Sequence, residues 1–390
     1  MRSLILLGST GSIGTQCLDV LRAHPGQFQL KGLAAGRSWR EAVDQVLEFD
    51  CPALALADTD AAGLARESLP DSVRIFAGPQ AAAEMAECLD YDIAVNGVVG
   101  AAGLQPSVRV LERGCDLALA NKESLVIAGQ LLMDLALANK ARILPVDSEH
   151  SALQQCLHGE QIGRVRYLYL TASGGALRDH TLEELHKVTP EVALAHPTWS
   201  MGPRITIGSA TLMNKALEVI EAAHLYGVGA DRIRVVIHRQ SIVHSMVEFV
   251  DGSVISQMGP PDMRGPIHHA LFYPDRIASD LEGFVPDLFQ TLTFEQPDPE
   301  RFPALELGYR CVREGGNAGA VLNAADEVAV AAFLDGQLSF HELVPVVSAV
   351  LDRRHEWPGS TLAELLEADQ GARLAAKEEI MRRVPTRASD

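Results

Sequence analysis

The stretch "LILLGSTGSIG", residues 4–14, sets a short apolar run against three glycines, Gly8, Gly11 and Gly14, spaced three apart. A run that short and that apolar predicts a buried strand. From Ser12 onward, Ile13, Cys17 and Leu21 recur at helical spacing, and Pro25 stands just past the end. Strand, glycine turn and helix in this order open a βαβ unit. Its turn lets the backbone approach a pyrophosphate, and the helix N-terminus supplies N–H donors. The spacing is G-x-x-G-x-x-G rather than G-x-G-x-x-G, so a tight turn without a ligand is the competing reading of the motif alone. The apolar patch after Arg2 runs straight into the glycines and therefore reads as a first strand, not a signal peptide.

The same rhythm continues outward. "FQLKGLAA", "PALALA", "VRIFA", "DIAVN", "DLALA" and "RILPV" are further strand candidates, separated by amphipathic stretches. Strands alternating with helices predict a doubly wound, parallel, Rossmann-like α/β domain over residues 1–147. A nicotinamide site with an adenosine diol partner usually places an acid near the end of the second strand. Here that strand ends "LAAGRSW", with Arg37 and Ser38 and no acid. A cation and a hydroxyl suit a 2′-phosphate, which predicts NADPH. The bland alternatives are a surface charge at Arg37 and a helix cap at Ser38, which with Glu41 would form a capping box.

The chain has 390 residues, 47% hydrophobic and 22% charged, with a net charge of -18. That length predicts two or three domains. The acidic balance argues against nucleic acid, whose backbone needs a basic surface, but not against a small phosphorylated ligand held by a few local cations. No apolar run reaches membrane length. The six cysteines are scattered without a C-x-x-C pair. A disulfide framework is thus not expected, and the cytoplasm is the expected compartment.

After Asp147 the rhythm changes. A helix at 149–158, the strand "VRYLYLTA", a loop-rich region to Arg204 and one long helix around 208–226 are predicted. "RIRVVIH", "IVHSMVEFV" and "SVISQM" follow, the last two joined at Asp251-Gly252, a two-residue hairpin signal. Residues 148–272 thus read as a middle α+β domain with a mixed sheet, 273–300 as a connector, and 301–390 as a helical bundle. "SFHE" and "TLAE" in the bundle are predicted capping boxes.

"PVDSEHSAL", residues 145–153, places Asp147 and Glu149 beside each other on the rim where a parallel sheet binds ligands. Acids opening a helix have a bland reading, since the macrodipole favours them. The sharper reading is a shared hard cation, Mg²⁺ or Mn²⁺, which prefers oxygen ligands. In "SATLMNKALEVIEAAHLY" a third acid, Glu218, stands i, i+4 from Asn214 and i, i+3 from Lys215. One exposed Lys–Glu pair is the plain alternative. "HPTWSMG", 196–202, reads either as a lid with Trp199 as its apolar cover or as a packed connector. His196 and His244 are ambiguous between structural and functional roles. "TASGG", 171–175, ends a strand with Ser173 and two glycines, a candidate anion cradle.

Taken together, these stretches, with "LANKESLV", "QSIVHSMVEF", "DGSVISQMGPPDMR" and "LNAADEVAVAAFL", resemble the 1-deoxy-D-xylulose 5-phosphate reductoisomerase family over nearly the whole chain and in the expected order. The resemblance implies a homodimer that uses NADPH and one divalent cation. It implies conversion of 1-deoxy-D-xylulose 5-phosphate to 2-C-methyl-D-erythritol 4-phosphate in non-mevalonate isoprenoid biosynthesis. On the family pattern Asp147, Glu149 and Glu218 are metal ligands. Ser173, Ser209, Asn214 and Lys215 hold the phosphate with His196 close by, Ser148 and Lys122 contact sugar hydroxyls, and Trp199 covers the site. Gly8, Thr10, Gly11, Ser12, Ile13, Gly36, Arg37, Ser38, Asn121, Glu123 and Gly202 fall where the family binds NADPH. The sequence departs from the pattern at Arg204 and Arg37, where Lys is usual. It departs also at Gly208 (Asp), Arg239 (Pro) and Asp326 (Asn). The rival readings are a simple NADP-dependent dehydrogenase of a phosphorylated aldehyde and a non-catalytic NADP-binding protein. An acyl-enzyme dehydrogenase is disfavoured, because no cysteine has a nucleophile's setting.

Overall fold

The computed structural model describes residues 1–199 and 201–383, which form two compact units. Among the described residues, the first comprises 1–124, 132–154 and 262–283; the second comprises 125–131, 155–199, 201–261 and 284–383.

The first unit is built on a parallel sheet of β1 (Arg2–Leu7), β2 (Phe28–Ala35), β3 (Ala53–Leu56), β4 (Arg74–Ala77), β5 (Ile93–Asn96), β6 (Asp116–Leu119) and β7 (Ile143–Pro145). All seven apolar runs singled out in the sequence are strands. Their order is β4-β3-β2-β1-β5-β6-β7, so the winding reverses between β1 and β5. Central strands with no polar face, such as Leu4–Leu7 and Ile93–Val95, are fully buried, as a sheet covered by helices on both faces requires. Residues 262–283 belong to this unit through the Arg264–Phe272 helix, whose Ile267, Ala270 and Leu271 join its core. No local pattern signals that return of the chain.

The second unit holds β8 (Val165–Ala172), β9 (Ile233–Ile237), β10 (Val243–Phe249) and β11 (Val254–Met258) in the order β11-β10-β8-β9. β8 and β9 are parallel, while β10 is antiparallel to both β8 and β11, giving the mixed sheet expected. The β10–β11 hairpin turns at Gly252. Its largest apolar core joins the Met213–Tyr226 helix to the Ala304–Glu314, Ala318–Leu334, Leu343–Asp352 and Leu362–Arg383 helices. Both capping boxes expected here form: Ser339 with Glu342, and Thr361 with Glu364.

Two local expectations fail. Ser38 precedes the Trp39–Glu48 helix but makes no cap hydrogen bond, because its backbone lies at φ -74°, ψ 58° rather than in the extended geometry of a capping box. The single helix expected around 208–226 is two, Pro203–Thr211 and Met213–Tyr226. They break at Leu212, which is left-handed at φ 60°, and Thr211 Oγ1 accepts the Met213 N–H at 3.2 Å. A hydroxyl that captures the next free backbone donor offers the chain an alternative to helix continuation.

Candidate active site

The glycine turn sits where the winding reverses. Gly8 follows β1 at φ +86°, and a Cβ there would lie 2.8 Å from the Gly97 carbonyl carbon just past β5. At Gly14, in the first turn of the Ser12–Ala23 helix, a Cβ would lie 2.2 Å from the Gly8 carbonyl oxygen. Only hydrogens fit at both places, so the turn closes tightly at the crevice that dinucleotides occupy in such sheets. Thr10, Gly11, Ser12 and Ile13 lie between Gly8 and Gly14 in the chain, Gly11 and Ser12 exposed and Thr10 and Ile13 half-buried. Gly36, Arg37 and Ser38 follow β2; the Arg37 side chain is 89% exposed and pairs with Asp58 at 3.2 Å. Asp58 also caps the Thr59–Ser68 helix by accepting from Ala61 N, and that bond, with the Arg37 charge, holds its carboxyl below the usual range.

Asn121 has a structural task. Its Oδ1 accepts from Ser124 N at 3.1 Å, capping the Lys122–Ala138 helix, while its amide donates to the Val98 and Gly100 carbonyls at 2.7 and 2.9 Å. The same amide contacts Glu123 at 2.9 Å. Lys122, next in the chain, pairs with Asp147 beyond the end of β7, and both side chains are largely buried. Ser148 Oγ donates to Glu149 in the first turn of the following helix. The helix begins one residue earlier than the sequence pattern implied.

In the second unit the bend at Leu212 gathers residues that a continuous helix would spread. Ser209 lies near the end of one helix, and Asn214 and Lys215 open the next. Gly208 packs against Asn214: a Cβ there would meet the Asn214 Cβ at 3.4 Å. Asn214 Nδ2 donates to Glu218 Oε1 at 2.6 Å, and Lys215 pairs with the other oxygen. Glu218 is 1% and Lys215 4% exposed, so this is a buried ion pair and not a solvated helix face. "TASGG" packs on the same bend, where a Cβ on Gly175 would lie 2.5 Å from the Ser209 carbonyl oxygen.

Ser173 and His196 meet, Oγ to Nε2, at 3.1 Å. His196 Nδ1 accepts from Trp199 N at 2.9 Å and from Thr198 N at 3.2 Å, which leaves the ring proton on Nε2, directed at Ser173. The Gly175 N–H also points at Ser173 Oγ, at 3.3 Å. With both lone pairs engaged, the Ser173 hydroxyl keeps its proton to donate. Burial, with the nearby Arg178 charge, holds the His196 imidazole below its ordinary pKa. Arg178, absent from the sequence expectations, donates to the Ser173 carbonyl at 2.8 Å and adds a cation here. Its signal was a basic residue five positions past Ser173. His244 is buried in β10, and burial pushes its imidazole down to about 4, so it reads as structural.

Three of the residues expected to depart from the resemblance, Arg204, Asp326 and Arg239, have charged partners. Arg204 and Asp326, two of these positions, lie 3.7 Å apart and are of opposite charge. Arg239 pairs with Glu295 at 2.6 Å and Asp179 at 2.8 Å. Gly202 caps the Pro203–Thr211 helix by position, without a side chain.

Family models agree with this picture. Residues 4–129 match 1-deoxy-D-xylulose 5-phosphate reductoisomerase, and residues 143–226 and 258–375 match its C-terminal domains. The chain is 48% identical over 378 residues to 1-deoxy-D-xylulose 5-phosphate reductoisomerase of Chlorobium phaeobacteroides, covering 97% of this chain and 99% of that protein. It is also 48% identical over 375 residues to that of Pelotomaculum thermopropionicum, covering 96% and 97%. Among solved structures, the Zymomonas mobilis reductoisomerase in complex with NADPH has a TM-score of 0.90 at 39% identity, covering 97% of this chain and 99% of that one. A DOX-P reductoisomerase in complex with NADPH, fosmidomycin and magnesium has a TM-score of 0.92 at 35% identity, covering 98% of each chain.

Proposed function

The chain belongs to the 1-deoxy-D-xylulose 5-phosphate reductoisomerase family, and on that premise we propose which of its side chains carry the reaction. The protein is an NADPH- and divalent-cation-dependent reductoisomerase that converts 1-deoxy-D-xylulose 5-phosphate for isoprenoid biosynthesis; its substrate is a small phosphorylated sugar. The product on this reading is 2-C-methyl-D-erythritol 4-phosphate.

The residues fit both groups the reaction needs. The turn at Gly8 and Gly14 is a backbone cradle that a Cβ would fill, and Arg37 offers a cation for the 2′-phosphate. Thr10, Gly11, Ser12, Ile13, Gly36, Ser38, Asn121, Glu123 and Gly202 complete the set of cofactor residues in this reading. Asp147, Glu149 and Glu218 are the proposed cation ligands. They form an all-oxygen donor set; the half-buried Asp147 and the buried Glu218 are already matched to positive charge by Lys122 and Lys215.

Rearrangement of the hydroxy-ketone, by α-ketol shift or by retro-aldol and aldol steps, builds negative charge on substrate oxygens. When bound, the cation stabilises that charge and NADPH supplies the hydride that reduces the resulting aldehyde. The chain's own residues bind, orient and exclude water. Ser173, Ser209, Asn214 and Lys215 donate to the phosphate, with His196 holding Ser173 in its donating orientation. Lys122 and Ser148 orient the sugar hydroxyls, and Trp199 covers the site. The gathering of Ser209, Asn214 and Lys215 at the Leu212 bend carries this assignment.

The functional segments are 1–147 for the cofactor, 148–272 for cation and substrate, 273–300 as connector and 301–390 as helical support. A homodimer is part of the reading, supported by the exposed apolar residues Val254, Ile255 and Met258 on the edge strand β11. Among the described residues no helix is long and apolar enough to cross a membrane. A cytoplasmic location is supported by six free cysteines, and the net charge of -18 speaks against nucleic acid.

NADPH oxidation with the deoxyxylulose phosphate, after exhaustive chelation and again with added Mg²⁺ or Mn²⁺, tests the reading. Consumption is expected only with metal. Turnover that survives chelation would instead point to a simple dehydrogenase, and NADPH binding without turnover to a non-catalytic protein.

A further inference from the structure

Arg204 stands in the first turn of the Pro203–Thr211 helix, where the helix dipole disfavours a cation. Its partners account for it. Arg204 Nη2 donates to Asn323 Oδ1 at 2.7 Å, and Nη1 lies 2.9 Å from Glu327 Oε1. Asn323 Nδ2 in turn donates to the same Glu327 oxygen at 3.2 Å, closing a triangle of three side chains. The other Glu327 oxygen accepts from Arg373 at 2.6 Å, and Arg373 also pairs with Asp369 at 2.6 Å. One guanidinium therefore ties a short helix to the Ala318–Leu334 helix, and a second ties that helix to Leu362–Arg383.

The tied helix has nine residues, too few to hold its own orientation in water. The loop bearing His196 and Trp199 enters at its start. Near its end stands Ser209, against which "TASGG" packs, and just beyond comes the Leu212 bend that sets Asn214 and Lys215. A rotation of this helix would move the proposed phosphate donors as a set.

We propose that Arg204 is a positioning residue for the phosphorylated substrate: its bonds to Asn323 and Glu327 fix the helix that presents Ser209 and the bend behind it. The inference rests on the phosphate-site reading given above. It means that the C-terminal helices act on substrate affinity without touching the substrate. The two-acceptor geometry needs a guanidinium fork, and a lysine ammonium on a single flexible stem satisfies it only in part.

The test uses the full-length enzyme with NADPH and Mg²⁺, comparing Arg204→Met and Arg204→Lys with the unaltered chain. Arg204→Met is expected to raise KM for the deoxyxylulose phosphate, and the inhibition constant of inorganic phosphate in parallel, by roughly ten- to a hundred-fold, with a smaller change in kcat. Arg204→Lys should recover part of the loss. NADPH affinity, read from nucleotide fluorescence without substrate, should stay within about two-fold. An unchanged KM, or a KM that rises only together with a weakened NADPH affinity and a lowered melting temperature, overturns the proposal. If Arg204→Met does not fold, Arg204→Lys decides alone: a raised KM at unaltered melting temperature supports the proposal, and an unaltered KM overturns it. Ser209→Ala separates the two layers. If it leaves KM and phosphate inhibition untouched, the phosphate-site reading falls, and this inference with it. If Ser209→Ala raises both while the Arg204 variants do not, only the positioning role falls.

Discussion

Asn214 donates to Glu218 at 2.6 Å across one helical turn, and Lys215 takes the carboxylate's other oxygen, so both Glu218 oxygens are oriented by residues of its own helix. A carboxylate held this way stays aimed at a ligand with little reorganisation. Glu218→Gln removes its charge. Metal-dependent turnover is expected to fall by roughly a thousand-fold, with NADPH affinity retained. The variant also removes the charged partner from the buried Lys215–Glu218 pair, a cost of about 3–5 kcal/mol that would appear as a lowered denaturant midpoint. Turnover within ten-fold of the unaltered enzyme, by steady-state assay, would remove Glu218 from the cation site.

The glycine turn makes a steric prediction. A methyl at Gly14 would lie 2.2 Å from the Gly8 carbonyl oxygen, with backbone and no flexible side chain in the way. Gly14→Ala should therefore cost about 1–3 kcal/mol of stability and abolish NADPH binding. At Gly11 the added carbon would lie 3.4 Å from the same oxygen, an ordinary contact, so Gly11→Ala should melt near the unaltered chain. Thermal unfolding of the pair checks the contrast.

Arg37 is almost wholly exposed, so its loss should leave stability unchanged. A charge-assisted bond to the 2′-phosphate is worth about 1.5–3 kcal/mol. Arg37→Ala should then weaken NADPH by about ten- to a hundred-fold while leaving NADH affinity where it is. Equal losses for both nucleotides in binary titrations would show that Arg37 does not read the phosphate.

His244 gives a pH dependence. Burial, aided by the nearby charges of His238 and Lys215, lowers its folded pKa to about 4, while carbonyls of Gly259 and Pro260 oppose the shift. Between pH 4 and the ordinary imidazole value of 6.5, the unfolded chain binds the extra proton and the folded one does not. Stability therefore rises with pH through that window and levels off above it. The full difference is about 3 kcal/mol. Urea unfolding of the unaltered chain and of His244→Gln across this range should diverge toward acid, the variant losing less. Parallel curves would assign the acid instability elsewhere.

Much of this is legible in the sequence. The seven strands of the first sheet and four of the second are each marked by an apolar run; in central strands such as β1 and β5 the reason is burial on both faces, which leaves no room for polar residues. The Asn214–Glu218 and Lys215–Glu218 neighbours followed from helical spacing alone. The missed features share one cause: each depends on a local competition or a distant partner. The Ser38 capping box had the right letters but not the backbone angles. The break at Leu212 turned on a threonine hydroxyl taking the next N–H, which no periodicity records. Arg178 acquired its meaning only from where the Ser173 carbonyl lay.

By itself the sequence determined the elements, their alternation and the residue types able to bind a dinucleotide, a phosphate and a hard cation. It could do so because hydrophobic period, glycine spacing and i, i+4 neighbours are properties of a few adjacent residues. Tertiary structure alone decided the strand order that sets Gly8 against Gly97. It also brought His196 to Ser173 and Lys122 to Asp147, and tied Arg204 to a helix more than a hundred residues away. Those pairings depend on how the closed chain packs, where one partner's position is set by a core to which neither residue belongs.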